Sequence, residues 1–143
     1  MKLPDVNLLL YALDESSPRH TAARQWLEQS LSSTQTIALA WTVLLAVVRL
    51  GTHPAVFEHP LTADEALDIV DGWLARPNVT VVHPTERHAA VLRELLAEAG
   101  TAGNLVADAH LATLAIEHGA DLQSSDADFS RFSGLRWTDP LRA

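Results

Sequence analysis

The sequence predicts an α/β fold in which a central parallel sheet is covered on both faces by helices. Three observations carry this reading. Short apolar or β-branched runs alternate with longer segments whose apolar residues recur at helical spacing, the pattern of repeated strand–helix units. The first run, Leu3 to Tyr11, is nearly uninterrupted, as are strands buried on both faces of a parallel sheet. A chain of 143 residues with 48% hydrophobic content is also long enough for one compact domain, 1–143, with its own core.

The elements follow in order. Leu3 to Tyr11 is the first strand, with Pro4 tolerated only at its start because proline cannot donate to a ladder. Ser17-Pro18 opens a helix, supplying a capping hydroxyl and a proline at the first helical position, and Ala23, Trp26, Leu27 and Leu31 form its apolar stripe. Thr36 to Leu39 is a second strand. Trp41 to Leu50 is too long for a strand and predicts a buried helix ended by Gly51. Thr52 to Pro60, with two prolines and two histidines, is a loop. Thr62-Ala63-Asp64-Glu65 is a capping box that opens a helix running through Ile69, Val70, Trp73 and Leu74. Arg76-Pro77-Asn78 breaks it, and Val79 to Val82 is β-branched and strand-like. Helices over 85–99 and 102–118 are stopped by Gly100 and Gly119. Leu122 to Ser125 is a strand, Asp126 to Phe132 a helical turn, Leu135 to Thr138 a last strand, and 140–143 a loose end.

Composition removes several function classes. There is no cysteine, so disulfides, thiolate nucleophiles and cysteine zinc sites are excluded. No apolar stretch reaches the roughly eighteen residues of a membrane span. The N-terminus does not read as a secretory signal, and the expected location is the cytoplasm. The net charge of −8 argues against a strong nonspecific grip on nucleic acid, though not against a nucleic-acid enzyme with a local cation. Lys2 is the only lysine, and the other nine basic residues are arginines. The seven histidines form no zinc signature and are assigned no catalytic role. No phosphate-binding glycine motif occurs either.

Four aspartates remain. Ligands of open parallel sheets bind beyond the carboxyl ends of the strands. Asp126 and Asp128 follow a strand directly, and Asp5 lies in strand one with Asn7 on the same face. Asp108 shares a helix face with Asn104 and with the core-like Leu111, Ala112 and Ala115, which points it inward. Some have a structural explanation on their own: Asp126 fits a cap, Asp128 a first-turn carboxylate, Asn7 and Asn104 local backbone partners, whereas periodicity disfavours an exposed Asp108 and Asp5 is the hardest to explain structurally. Gathered together, the carboxylates would raise one another's pKa unless a cation intervened, and oxygen ligands suit Mg²⁺ or Mn²⁺.

Asp5-Val6-Asn7, the stretch from Gly103-Asn104-Leu105 through Asp108-Ala109-His110-Leu111-Ala112, and Ser125-Asp126-Ala127-Asp128-Phe129 together resemble the PIN-domain ribonucleases, specifically the VapC toxins of bacterial toxin–antitoxin modules. The resemblance covers essentially the whole chain. It implies a three-layer α/β/α fold and Mg²⁺- or Mn²⁺-dependent hydrolysis of RNA phosphodiesters, with tRNA or ribosomal RNA as substrate. It implies a homodimer silenced by a cognate VapB antitoxin. By position it makes Asp5, Asp108 and Asp126 metal-site acids, Asp128 a frequent addition, and Asn7, Asn104 and Ser125 supporting residues. Arg19, Arg24 and Arg49 are candidates for the RNA groove.

One departure stands out. The family typically carries a glutamate in the helix after strand two, and Ala46 occupies that place in a helix free of acids. The alternative reading is therefore a weakened PIN-fold module that binds RNA or antitoxin without efficient cleavage. A phospho-accepting receiver domain would need a lysine late in the chain, and none is there.

Overall fold

The computed structural model describes residues 1–142. Five strands, β1 (Lys2–Pro4), β2 (Ile37–Leu39), β3 (Val79–Val81), β4 (Asp121–Gln123) and β5 (Trp137–Thr138), form one sheet. Its order is β3-β2-β1-β4-β5, and every pairing is parallel. The helices are α1 (Val6–Leu13), α2 (His20–Leu31), α3 (Trp41–Gly51), α4 (Ala63–Leu74), α5 (His88–Ala99) and α6 (Val106–His118). Helix α1 packs on both α2 and α3, α3 packs on α4, and α5 packs on α6. Right-handed crossovers put these two sets on opposite faces of the sheet. The α/β/α architecture expected from the sequence is therefore present.

The largest difference lies at the start. Leu3 to Tyr11 is not one strand: β1 ends at Pro4, Asp5 caps a helix, and α1 carries the rest of the apolar run. The physical reason is Asp5 itself. Its extended backbone and side-chain acceptor make it a helix N-cap, with Oδ1 accepting from Val6 N at 2.7 Å. Leu8, Leu9 and Leu10 are then buried as a helical face. Pro4 stands last in the strand, not first. Without an N–H it ends the ladder toward β2, which registers only at Lys2↔Ile37, while the ladder toward β4 continues to Pro4↔Gln123.

Smaller differences follow the same logic. Helix α2 begins at His20, because Ser17 Oγ accepts from Arg19 N in a turn before it. Helix α3 buries only one face, through Val43, Leu44 and Val47, and leaves Trp41 42% and Leu45 61% exposed. The helix expected over 102–118 starts with a 3-10 turn, Gly103–Leu105, where Gly103 takes φ 59°. The capping box at Thr62 and Glu65 forms as expected, with reciprocal bonds of 3.1 and 3.0 Å. Around the sheet, Leu3, Leu44, Leu114, Leu122 and Phe129 are fully buried. Each such side chain contributes about 1.5–3 kcal/mol relative to exposure. No helix among the described residues is long and apolar enough to cross a membrane.

Candidate active site

The sheet order reverses at β1. The chain first builds outward through β2 and β3, then crosses back to place β4 on the other side of β1. Such a switch point opens a crevice at the carboxyl ends of the two strands. Asp5 follows β1 directly, and Ser124, Ser125 and Asp126 follow β4. The Pro4↔Gln123 register brings Asp5 level with Ser124.

Asp5 forms the floor. It is 7% exposed, and its Oδ2 accepts from Ser124 Oγ at 2.9 Å. Ser124, fully buried, also accepts from Asp126 N at 3.0 Å, so one hydroxyl ties the first acid to the third. Asp126 caps the 3-10 turn Ala127–Arg131 by accepting from Asp128 N at 2.9 Å, which sets Asp128 beside it. Asp108 enters from the first turn of α6. One carboxylate oxygen each of Asp108, Asp126 and Asp128 lies within 4.8 Å of the others.

The trio drawn together this closely is Asp108, Asp126 and Asp128, and not the expected Asp5, Asp108 and Asp126. Asp5 is held back at the floor by Val6 N and Ser124 Oγ, whereas Asp128 is drawn in by the turn that Asp126 caps. Asp5 still faces the same space, since it lines one cavity together with Asp108. Three supporting residues are placed differently. Asn7 is exposed on α1 instead of sharing a strand face with Asp5. Asn104 is exposed in the 3-10 turn before α6. Ser125 donates to Asp139 Oδ1 at 2.8 Å, and its neighbour Ser124 is the hydroxyl that reaches the acids. Of the three arginines, only Arg49 lines the acidic cavity. Arg24 pairs with Glu28 at 3.2 Å, and Arg19 lies over the Tyr11 ring at 5.4 Å.

Electrostatics separate Asp5 and Asp108 from ordinary surface carboxylates. Burial pushes Asp5 above its usual range, opposed by the bonds from Ser124 and Val6, with the Asp126 charge adding to the rise. Asp108 is pushed up to about 6, first by burial and then by the charges of Asp5, Asp126 and Asp128. The nearest base is Arg131, 3.9 Å from Asp128, with both side chains about half exposed. Clustered carboxylates with so little counter-charge of their own fit a hard dication, which all-oxygen donors prefer. Asp5, Thr42, Ala46, Arg49 and Asp108 line an adjoining cavity of about 180 Å³. Ala46, where an acid was expected, therefore sits on the wall of this site.

A second polar cluster went unread in the sequence. Glu117 on α6 accepts from Thr85 N and Thr85 Oγ1, and His88 Nδ1 lies 2.7 Å from Glu117 Oε2. His88 Nε2 is in turn 2.9 Å from His110 Nδ1. Burial alone would raise Glu117, but the bonds from His88 and Thr85 outweigh it and hold the acid below its usual range. Burial and the neighbouring His88 push His110 down, against the pull of Glu117. The available signal was the seven-residue spacing of His110 and Glu117, which places them on one helix face.

A parallel α/β/α sandwich with carboxylates at its switch point matches a known class. The profile of the family described as PIN domain covers residues 2–135, and the chain belongs to that family. Its relatives narrow the likeness to proteins named VapC ribonucleases. Ribonuclease VapC37 of Mycobacterium tuberculosis is 46% identical over 140 residues, spanning 98% of this chain and 97% of that one. Ribonuclease VapC33 of the same species is 39% identical over 142 residues, spanning 99% of each. The fold is shared with the Rickettsia felis VapBC2 complex bound to a promoter DNA fragment, at TM-score 0.69, 19% identity and 96% coverage of both chains.

Proposed function

We propose that this chain is a divalent-metal-dependent endoribonuclease and the toxic partner of a VapBC-type pair. The observation that carries the reading is the gathering of Asp108, Asp126 and Asp128 within 4.8 Å at the sheet's switch point, with Asp5 tied to Asp126 through Ser124 and sharing a cavity with Asp108. Those three would hold Mg²⁺ or Mn²⁺. When bound, the ion supplies counter-charge to a phosphodiester and makes water more acidic. Asp5, fixed at both oxygens, would accept a hydrogen bond from the attacking water and so orient it. Arg49, on the rim, would meet a non-bridging phosphate oxygen, a role suited to a planar guanidinium. A cognate VapB-type antitoxin would silence the enzyme by covering this pocket. A second copy of the chain is the proposed cover for Trp41 and Leu45, which lie one turn apart on the exposed face of α3.

The test uses purified protein freed of any antitoxin and a pool of tRNA and ribosomal RNA. Wild type should cut RNA when Mg²⁺ or Mn²⁺ is added, and Asp5→Asn, which keeps the cap and removes the charge, should not. An uncut pool would leave the weaker reading that Ala46 favours, a PIN-fold module that binds without efficient cleavage.

A further inference from the structure

Beside the acid cluster lies a second, larger recess, of about 720 Å³. Thr42 and Ala107 line both this recess and the cavity beside Asp5 and Asp108, so the two adjoin. Leu92, Val106 and Ala107 make the recess mostly apolar, Asn104 stands at its edge, and His88 and His110 close its polar end. Val106 is 41% exposed.

The polar end is built rather than incidental. Glu117 accepts hydrogen bonds, so His88 Nδ1 carries the proton that it donates to Glu117 Oε2. His88 Nε2 and His110 Nδ1 share a second hydrogen bond of 2.9 Å, so the chain Glu117–His88–His110 uses one nitrogen of the last ring. Among the described residues His110 Nε2 has no hydrogen-bond partner, and it is not sealed from solvent. The two rings meet edge to face with centroids 4.8 Å apart, which locks the orientation.

Resting on the ribonuclease reading, we propose that this recess is a subsite for one unpaired nucleobase of the RNA, next to the phosphate held at the acid cluster. A base offers a flat apolar face to Leu92 and Val106 and a polar edge, carrying both donors and acceptors, to His110 Nε2. Single-stranded bases are recognised in this way, by packing on side chains and by hydrogen bonds to their edges. An apolar side chain from a protein partner would fill the same walls but leave Nε2 without a polar partner. A phosphate is a poor fit, because most of the lining is apolar.

The test is binding of a short labelled single-stranded RNA to the full chain in Ca²⁺, read by fluorescence anisotropy. One abasic nucleotide is walked along the strand. In wild type one position should weaken binding by about tenfold or more, the scale of a lost base contact. In His110→Ala, and separately in Val106→Asp on the exposed rim, intact RNA should bind more weakly and the abasic penalty at that position should disappear. A flat abasic series in wild type, or a penalty that survives both variants, overturns the subsite. So does loss of self-association in Val106→Asp with a flat series, which would assign the face to a second copy. Cleavage of the RNA pool is scored separately. Cutting with a flat series removes the subsite alone, whereas coupled losses without cutting remove the ribonuclease reading alone.

Discussion

Two carboxylate clusters in this molecule have opposite fates. Glu117 is covered from solvent, yet three donors from Thr85 and His88 surround it and hold its acid below the usual range. Asp108 is less covered, yet burial and three neighbouring acids drive it up to about 6. Folding completes the first cluster from its own residues. It leaves the second short of positive charge at the mouth of a crevice. The contrast separates a carboxylate that braces structure from one that awaits a ligand, and perturbation in the upward direction marks the second kind.

The largest expected effect comes from breaking the unfinished cluster. Asp108→Asn removes one charge with little change of shape. RNA cleavage should fall by about a hundredfold or more, the scale of losing one electrostatic contact to a reacting centre. Saturating Mg²⁺, at about a hundred times its Kd, should stabilise wild type by about 2.7 kcal/mol against urea and the variant by far less. Equal stabilisation of both proteins would mean that Asp108 does not help to hold the ion.

How much of this contrast could be read beforehand depended on locality. The capping box, the glycine stops at Gly100 and Gly119 and the β-branched β3 are local signals, and the strand–helix alternation followed from them. The split at Asp5 was hidden because β1 and α1 are both apolar and fuse into one run. The clue was its length beyond the usual strand, with a cap-forming residue near its start. Ser124 was passed over for Ser125 because only the β1–β4 register decides which hydroxyl meets Asp5. The Glu117–His88–His110 chain joins α5 to α6 across 29 and 22 residues, and no short motif encodes such a contact.

Breaking the finished cluster should affect stability more than chemistry. Glu117→Ala strips the acceptor from His88 Nδ1 and from Thr85 N and Oγ1 at once. The expected loss is about 1–3 kcal/mol in urea unfolding, the range for leaving covered donors unpaired. Thr85→Ala, which keeps the backbone donor and the histidine, should lose about 1 kcal/mol. Cleavage per folded molecule should stay within about tenfold of wild type, because Glu117 acts on the RNA only through two imidazoles. A loss as deep as that of Asp108→Asn would place Glu117 in the chemistry and erase the distinction between the clusters.

The smallest effect sharpens the comparison most, because it isolates one proton. Asp108 has a folded pKa of about 6 against an ordinary 3.8. Between those values the folded protein, free of metal, binds a proton that the unfolded chain has released. Stability from this group therefore falls as pH rises through about 6. His110 acts in the opposite sense in part of the same window. Its folded pKa is depressed, so the unfolded chain takes up the extra proton as pH falls. A single pH profile of wild type would mix the two, but the difference between wild type and Asp108→Asn cancels the histidine. That difference should be near zero only at about pH 3, below the ordinary 3.8, where Asp108 is protonated in both the folded and the unfolded chain and resembles asparagine. By pH 7.5 the variant should be more stable by about 1 kcal/mol, a figure reduced for the partial exposure of the group. Saturating Mg²⁺ should reverse the sign at pH 7.5, since an ion held by the ionised carboxylate then favours wild type. A difference that does not change with pH would mean that asparagine stabilises through packing, and that like-charge repulsion is not what distinguishes the two clusters.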